Sequence, residues 1–287
     1  TNTQGTLASI NGQVSLQSQI NGLDNRQGLI QAKQNLDITL SGADNSLQNT
    51  LGQIIAGREI LLSTGVINNA QGLVAAGLDL QIDIHGQTLN NQGTRSADPH
   101  APTQGLIAGG QLVIQSGGVD NRSGHIHAQG GLVLTSTGAV NNSALSGSSQ
   151  IYSGGQMTLQ ATGLNNTGSQ ILAVQSMTAD VASGTIDNSQ ALMRTGQTLT
   201  LQAGTITNVN TLATANDGTP APMGLEGQNV VLSASNIDNT QGAVRAVYNL
   251  NIQSDGLLHN DHGQLSAGQQ LGITSGTNTP PTTAPTL

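Results

Sequence analysis

Short alternations of aliphatic and other residues recur along almost the whole chain, two in each repeat. The first reads aliphatic-x-Ala, as in Ile30-Gln31-Ala32 and Ile126-His127-Ala128. The second usually follows four residues later and reads aliphatic-x-aliphatic, as in Leu36-Asp37-Ile38 and Leu132-Val133-Leu134. Because side chains alternate between the two faces of a strand, a period of two predicts short strands whose middle residue points outward. Gly and Gln-Gly between the segments predict turns.

The third part of each repeat is an aliphatic residue, then a polar residue, then Asn. This element occurs eleven times, 20 to 24 residues apart except for two gaps of 30 and 31 residues. Asn tolerates left-handed turns, hydrogen-bonds to turn backbone and stacks into amide ladders. We therefore predict a structural Asn column rather than a catalytic one. Its predicted members are Asn25, Asn45, Asn69, Asn91, Asn121, Asn142, Asn166, Asn188, Asn208, Asn239 and Asn260.

Stacking of these repeats predicts an all-β fold, a single parallel β-helix (solenoid) of about 12 rungs. One unit cannot bury its aliphatic positions, but units stacked about 4.8 Å apart bury them against each other. The predicted repeat domain covers residues 1–275, and residues 276–287 predict a Pro/Thr-rich linker. The two long gaps predict loop insertions at residues 94–103 and 210–222. Insertions on one face of a solenoid often mark a binding face, and neutral insertions are an equal alternative.

The composition suits a narrow solenoid better than a layered globule. The 287 residues include no Cys, Trp or Phe and two Tyr, and charged residues make up 8%. Aromatic side chains would overpack a narrow lumen, which Leu, Ile, Val and Ala fill. The formal net charge of −8 argues against nucleic acid as a partner, because an acidic surface repels phosphate. The absence of Cys excludes disulfides and thiolate metal sites.

The repeat resembles that of filamentous haemagglutinin-type exoproteins. The shared pattern is x-aliphatic-[DN]-N-x-x-G-x-[IL]-x-A-x-x-x-L-x-[LI], and the stretch from Leu23 to Ala32 matches it best. This family includes two-partner-secreted adhesins and contact-dependent growth-inhibition exoproteins. The resemblance covers about residues 4 to 275. It implies a right-handed β-helix that an outer-membrane transporter of the two-partner type exports to the surface of a Gram-negative bacterium.

Two motifs of that family are missing from the chain. The Asn-Pro-Asn type motif of the secretion domain does not occur, and neither does the Val-Glu-Asn-Asn motif of the growth-inhibition branch. We therefore expect an interior segment of a longer protein.

Candidate catalytic and metal-binding residues are few. The carboxylates of one column, such as Asp24 and Asp120, are mostly separated by other residues on neighbouring rungs, whereas glycoside hydrolysis needs two facing carboxylates. His125 and His127 point to the same side of one strand, but no third ligand is expected beside them. A turn with His259, Asp261 and His262 is a weaker metal candidate. We predict no catalytic residue, no metal site and no cofactor.

One outward column carries unusually large and mostly apolar side chains. Exposed apolar surface often marks a contact site, here weak lateral self-association, although strand preference alone also explains such residues. We define the contact ridge by its predicted members, Ile55, Val74, Ile107, His127, Tyr152, Leu172 and Met193.

Two functions from different classes fit the sequence. The first is a structural stalk of a secreted cell-surface filamentous exoprotein that projects an adhesive or toxin-delivery tip toward other cells. The second is a direct adhesin, which binds a host or bacterial surface receptor or a carbohydrate. The near absence of aromatic residues, which stack on sugars, favours the stalk. A polysaccharide-degrading β-helix enzyme is a weaker alternative.

Overall fold

A computed structural model describes residues 1–19, 22–41, 45–94, 103–144, 149–212 and 223–276 of the chain. Within these residues the regular structure is all strand, in about 11 solenoid turns. None of the described residues forms a helix long and apolar enough to cross a membrane. The chain divides into two compact units, unit 1 over residues 1–155 and unit 2 over residues 156–287.

Unit 1 is built from short strands, each two to five residues long. They are β1 Thr6–Ser9, β2 Val14–Ser18, β3 Leu23–Asp24, β4 Leu29–Ala32, β5 Leu36–Leu40, β6 Leu47–Gln48, β7 Gln53–Ala56, β8 Ile60–Ser63, β9 Ile67–Asn68, β10 Leu73–Ala76, β11 Leu80–Asp83, β12 Thr88–Asn90, β13 Gly105–Ala108, β14 Leu112–Ser116, β15 Gly118–Asp120, β16 His125–Ala128, β17 Leu132–Ser136, β18 Ala139–Asn141 and β19 Gln150–Ser153.

In unit 2 some neighbouring strands run together without a break. The strands are β20 Met157–Gln160, β21 Gly163–Asn165, β22 Gln170–Ala173, β23 Met177–Asp180, β24 Thr185–Asp187, β25 Leu192–Thr195, β26 Thr198–Thr207, β27 Gly224–Asp238, β28 Ala243–Ser254, β29 Leu258–His259, β30 Gln264–Ala267 and β31 Gln270–Ser275.

Parallel pairing between successive coils gives three sheets in each unit. In unit 1, sheet A holds β1, β4, β7, β10, β13, β16 and β19, and each of these strands pairs with the next. Sheet B begins β2–β5–β8, and sheet C begins β3–β6–β9, with the same three-strand offset. Unit 2 repeats the arrangement, and β27 contributes to all three sheets. The predicted all-β parallel solenoid is confirmed.

The core of each unit is a set of aliphatic columns that face the lumen. In sheet A of unit 1, Ile54, Val74 and Leu106 occupy successive coils of one column and are fully buried. Sheet B contributes two such columns, which include Leu112 and Ile114. Because every rung repeats the same contacts, the core needs no large aromatic residue.

The corner after sheet C contains a residue with positive φ, two positions beyond the Asn. Gln27 has φ 56° and Gln71 has φ 54°. Left-handed geometry therefore belongs to this later residue rather than to the Asn. The following Gly is required by close packing, because a Cβ on Gly28 would lie 2.2 Å from the carbonyl oxygen of Asn2.

In the two coils with predicted insertions, a buried Thr replaces this Gly. Thr94 is the first residue of the insertion predicted at 94–103, and Thr211 is the second residue of the one predicted at 210–222. The hydroxyl of Thr94 donates to the Asn91 carbonyl at 2.9 Å and accepts the His125 backbone N–H at 3.0 Å. In a regular coil the N–H and the carbonyl of Gly28 fill these two roles. Thr211 in unit 2 makes the equivalent pair of bonds. Residues 95–102 and 213–222 of the insertions lie outside the described residues, as do residues 277–287 of the predicted linker.

Candidate functional site

In unit 1 the Asn side chains stack into a ladder, in which each amide donates to the Asn of the next coil. Nδ2 of Asn25 donates to Oδ1 of Asn49 at 2.7 Å and also to the Gly28 carbonyl at 3.3 Å. From Asn25 onward the members are fully buried, so their amides satisfy corner backbone that water cannot reach. The members in unit 1 are Asn2, Asn25, Asn49, Asn69, Asn91, Asn121 and Asn142.

The prediction that Asn45 belongs to this column is wrong, and Asn49 holds its place. A ladder member lies two residues after the inward aliphatic residue of sheet C. In this coil that residue is Leu47, which pairs with Ile67 of the next coil. Asn45 lies ahead of the strand and donates its amide to the Ser41 carbonyl at 2.6 Å.

Unit 2 contains a ladder of the same geometry. The Nδ2 to Oδ1 distances between successive members are 2.7 to 2.9 Å. Its members are Asn166, Asn188, Asn208, Asn239 and Asn260.

Two members of the predicted contact ridge point the other way. Val74 and Met193 are fully buried in the lumen column of sheet A. Ala75, opposite Ile55, holds the outward position in the first coil, and Arg194 holds it in the second. The cause is a one-residue error of register, because a strand shifted by one residue exchanges its two faces.

The remaining ridge residues face outward, but they are not freely exposed. Ile55, Ile107, Tyr152 and Leu172 are partly exposed, while His127 is buried at 6% exposure. In unit 1 the His127 ring stacks on Tyr152, with ring centroids 4.6 Å apart and an interplanar angle of 15°. Side chains of the contact ridge therefore partly bury each other.

His125 extends this stack and is fully buried. Its ring centroid lies 5.6 Å from that of His127, with the rings nearly parallel. No described residue forms a hydrogen bond with its Nε2. Burial, reinforced by the neighbouring His127, lowers the pKa of His125 to about 4. His125 is therefore uncharged at neutral pH and acts as part of an aromatic stack.

Two carboxylates of the Asp column are neutralised by an Arg two residues later. Hydrogen bonds from the Arg26 side chain and backbone hold the pKa of Asp24 well below its usual range. Burial pushes the pKa of Asp120 upward, but hydrogen bonds from Arg122 and Gln92 lower it overall. Such paired carboxylates are poor proton donors for acid–base catalysis.

The described residues hold no group of three or more His, Cys, Asp or Glu side chains placed to bind a metal. Neither the predicted turn with His259, Asp261 and His262 nor the His125–His127 pair is part of such a group among the described residues. Parallel stacked imidazoles direct their ring nitrogens along parallel planes rather than toward one shared point.

A charged cluster in sheet A of unit 2 was missed by the sequence reasoning. Arg194, Glu226 and Arg245 lie on successive coils, and Glu226 accepts from both arginines. The register error at Met193 hid Arg194. The spacing to the next strand could have revealed it. Thr195 lies four positions before Leu199, the first inward residue of that strand, so Thr195 is inward and Arg194 faces outward.

Comparison with known proteins gives a family match. The sequence profile described as haemagglutinin repeat matches residues 79–145, 140–192 and 225–279, which together cover more than half of the chain. No curated protein sequence and no solved structure matches the chain significantly.

Proposed function

Because the chain belongs to the haemagglutinin repeat family, we propose that it is a structural stalk segment of a secreted cell-surface filamentous exoprotein. In this proposal the filament projects an adhesive or toxin-delivery tip toward other cells. The repeat and the parallel solenoid fit such a filament.

The observation that carries the proposal is the buried Asn ladder. In each unit it adds a line of side-chain hydrogen bonds to the backbone pairing of three sheets. Adjacent coils are thus joined both at the strands and at the corner. Each coil is held by its neighbours alone, so such a segment can be lengthened by adding coils, as a spacer requires.

The stalk proposal is tested with the labelled 287-residue chain on panels of host and bacterial cells. A stalk segment should show no saturable binding beyond that of a charge-matched, unrelated solenoid. Saturable binding to one cell type would contradict a purely structural role and favour the adhesin alternative.

Lateral self-association is a second candidate role, favoured by the partly exposed Ile55 and Ile107 of the contact ridge. The apolar area is small, so the association should be weak and concentration-dependent. Sedimentation of the wild type and of an Ile55→Ser, Ile107→Ser variant tests it. A monomer at every concentration in both proteins would exclude this role.

The proposal also includes the export route and the location. An outer-membrane transporter of the two-partner type exports the chain, which then lies at the surface of a Gram-negative cell. The family supports a secreted or cell-surface exoprotein in general. Co-expression of the chain, fused to a secretion domain, with such a transporter should deliver it to protease-accessible surface. Retention inside the cell would contradict this part of the proposal.

We also propose that the segment is not an enzyme. The paired carboxylates of Asp24 and Asp120 support this, because both are engaged by arginine. Incubation with a panel of acidic polysaccharides should release no oligosaccharides, and depolymerisation would contradict the proposal.

A further inference from the structure

A cavity of about 450 Å³ lies in unit 2, at the corner where sheet A turns into sheet B. Its lining includes Arg194, Glu226 and Arg245 from sheet A and Gly196, Gln228 and Val247 from three successive corners. These residues have no part in the stalk proposal, so the cavity is a separate feature.

The cavity coincides with a corner that is one residue short. The last inward position of sheet A and the first of sheet B lie four positions apart in the coils on either side, Thr195 to Leu199 and Ala246 to Leu250. In the middle coil, Gly227 and Val230 lie three positions apart.

The register shows how the short corner is accommodated. Gly227 pairs with Ala246 and Asn229 with Asn249, so Gln228 faces both Val247 and Tyr248. A Cβ on Gly227 would lie 2.8 Å from the Asn229 carbonyl oxygen, so the tight corner requires Gly. The short corner therefore leaves a notch between two longer ones.

The charges beside the notch are unbalanced. Nε and Nη2 of Arg194 both lie 2.6 Å from Oε2 of Glu226. Nη1 of Arg245 donates to Oε1 of the same carboxylate at 2.9 Å. Two guanidinium groups therefore share one carboxylate, which leaves one positive charge in excess. This is notable in a chain with seven basic residues and a net charge of −8.

Donors remain unused on both arginines. Among the described residues no acceptor meets Nη1 of Arg194, whose side chain is 48% exposed. Nη2 of Arg245 is buried and also lacks a partner there. Guanidinium groups present paired N–H donors that match the two oxygens of a carboxylate.

Another part of the lining is apolar. Val247 is 60% exposed, and Ala246 lies beside it. We propose that this notch binds a small organic carboxylate, with its charged head on Arg194 and its apolar body against Val247. The charge excess selects an anion, and the open apolar wall favours a compact hydrocarbon body over a sugar.

Titration of butyrate into the isotope-labelled 287-residue chain tests the proposal, read from the backbone amide signals of Gln228 and Val247. Saturable shifts are expected with butyrate and not with butyramide, its neutral counterpart. Absence of saturable shifts with butyrate, or equal binding of butyramide, would overturn the proposal. Acetate should bind more weakly than butyrate, and tighter binding of glucuronate would overturn the assignment of an apolar body.

Variants separate the notch from general charge. Arg194→Gln should weaken butyrate binding about tenfold, because it removes the exposed charged donors. Arg58→Gln, at an exposed corner of unit 1, should leave the affinity unchanged. Inserting one Gly after Gln228 restores the four-residue corner and should abolish binding while retaining both arginines. Unchanged affinity in Arg194→Gln would overturn the proposal, whether or not the insertion variant folds.

Discussion

The hydroxyl oxygen of Thr94 lies 3.0 Å from the backbone nitrogen of His125, one coil away, and accepts its N–H. The same hydroxyl donates to the carbonyl of Asn91 at 2.9 Å. One side-chain hydroxyl thus replaces both the backbone N–H and the backbone carbonyl that one Gly supplies in the regular corner. The buried Asn91 carbonyl and His125 N–H are therefore both paired at the residue where the insertion is predicted to begin.

We expect Thr94→Val to destabilise the protein by about 2 kcal/mol, because it leaves the Asn91 carbonyl and the His125 N–H without partners. Thr94→Ser keeps the hydroxyl and should retain most of the stability. Thr88→Val, at an exposed strand position, is the control and should change little. Urea unfolding measures all three. A larger loss in Thr94→Ser than in Thr94→Val, which keeps the methyl group, would show that packing of the methyl group matters more than the two hydrogen bonds.

The Asn ladder provides a second prediction. Asn69 is fully buried, accepts from Asn49 at 2.7 Å and donates to Asn91 at 2.8 Å. Asn69→Ala should cost about 1–3 kcal/mol in denaturant unfolding, because two buried amides lose a partner. Asn68→Ala changes the neighbouring, partly exposed amide, which water can replace, and should cost much less. Comparable losses in the two variants would contradict a special role for the ladder.

The third prediction concerns the two faces of sheet B. Leu134 is fully buried in the lumen, whereas its neighbour Val133 is 42% exposed. Leu134→Asp should abolish cooperative unfolding or cost more than about 4 kcal/mol, because it buries an unpaired charge. Val133→Asp should cost less than about 1 kcal/mol. Similar thermal unfolding of the two variants would mean that the assigned faces are wrong.

The regular coils of the fold could be predicted from sequence, because their aliphatic spacing allows only one register. Leu36-Asp37-Ile38 and Leu132-Val133-Leu134 are each followed by Thr, so a shift by one would bury a polar side chain. Leu73-Val74-Ala75-Ala76 and Ala191-Leu192-Met193-Arg194 are apolar on adjacent positions and fit two registers locally. There the usual spacing of four positions to the next strand decides, as from Ala76 to Leu80 and from Thr195 to Leu199. It places Val74 and Met193 in the lumen and excludes them from the contact ridge.

The errors at Asn45 and His127 have different physical causes. An Asp-Asn dipeptide suits any turn, so the pair at residues 44–45 resembled a ladder position. The ladder member is instead the residue two positions after the inward Leu47. His127 occupies an outward position as predicted, but its burial arises from stacking with His125 and Tyr152. The charged notch also depends on a corner that is one residue short. This corner forms a notch only because the corners of the neighbouring coils are longer. Such contacts between coils are not visible in a single repeat.

The buried His125 makes stability depend on pH in a defined window. Its folded pKa of about 4 lies below the usual value of 6.5, so the unfolded chain binds a proton that the folded chain resists. Stability should therefore be unaffected by His125 above about pH 6.5, fall as the pH is lowered toward 4, and level off below that value. The full loss is about 3 kcal/mol, from the difference between the two pKa values.

The lowered pKa values of Asp24 and Asp120 act in the same direction, but only below the unfolded pKa of about 4. Urea unfolding at pH 7.5, 6.0 and 4.5 therefore isolates the histidine effect. His125→Gln, which is neutral at every pH, should lose less stability across this range than the wild type. His259→Gln removes an exposed histidine and should behave like the wild type. An equal loss of stability in His125→Gln and the wild type would show that the buried imidazole is not the source of the acid sensitivity. In that case the stack with His127 and Tyr152 would open before His125 binds a proton.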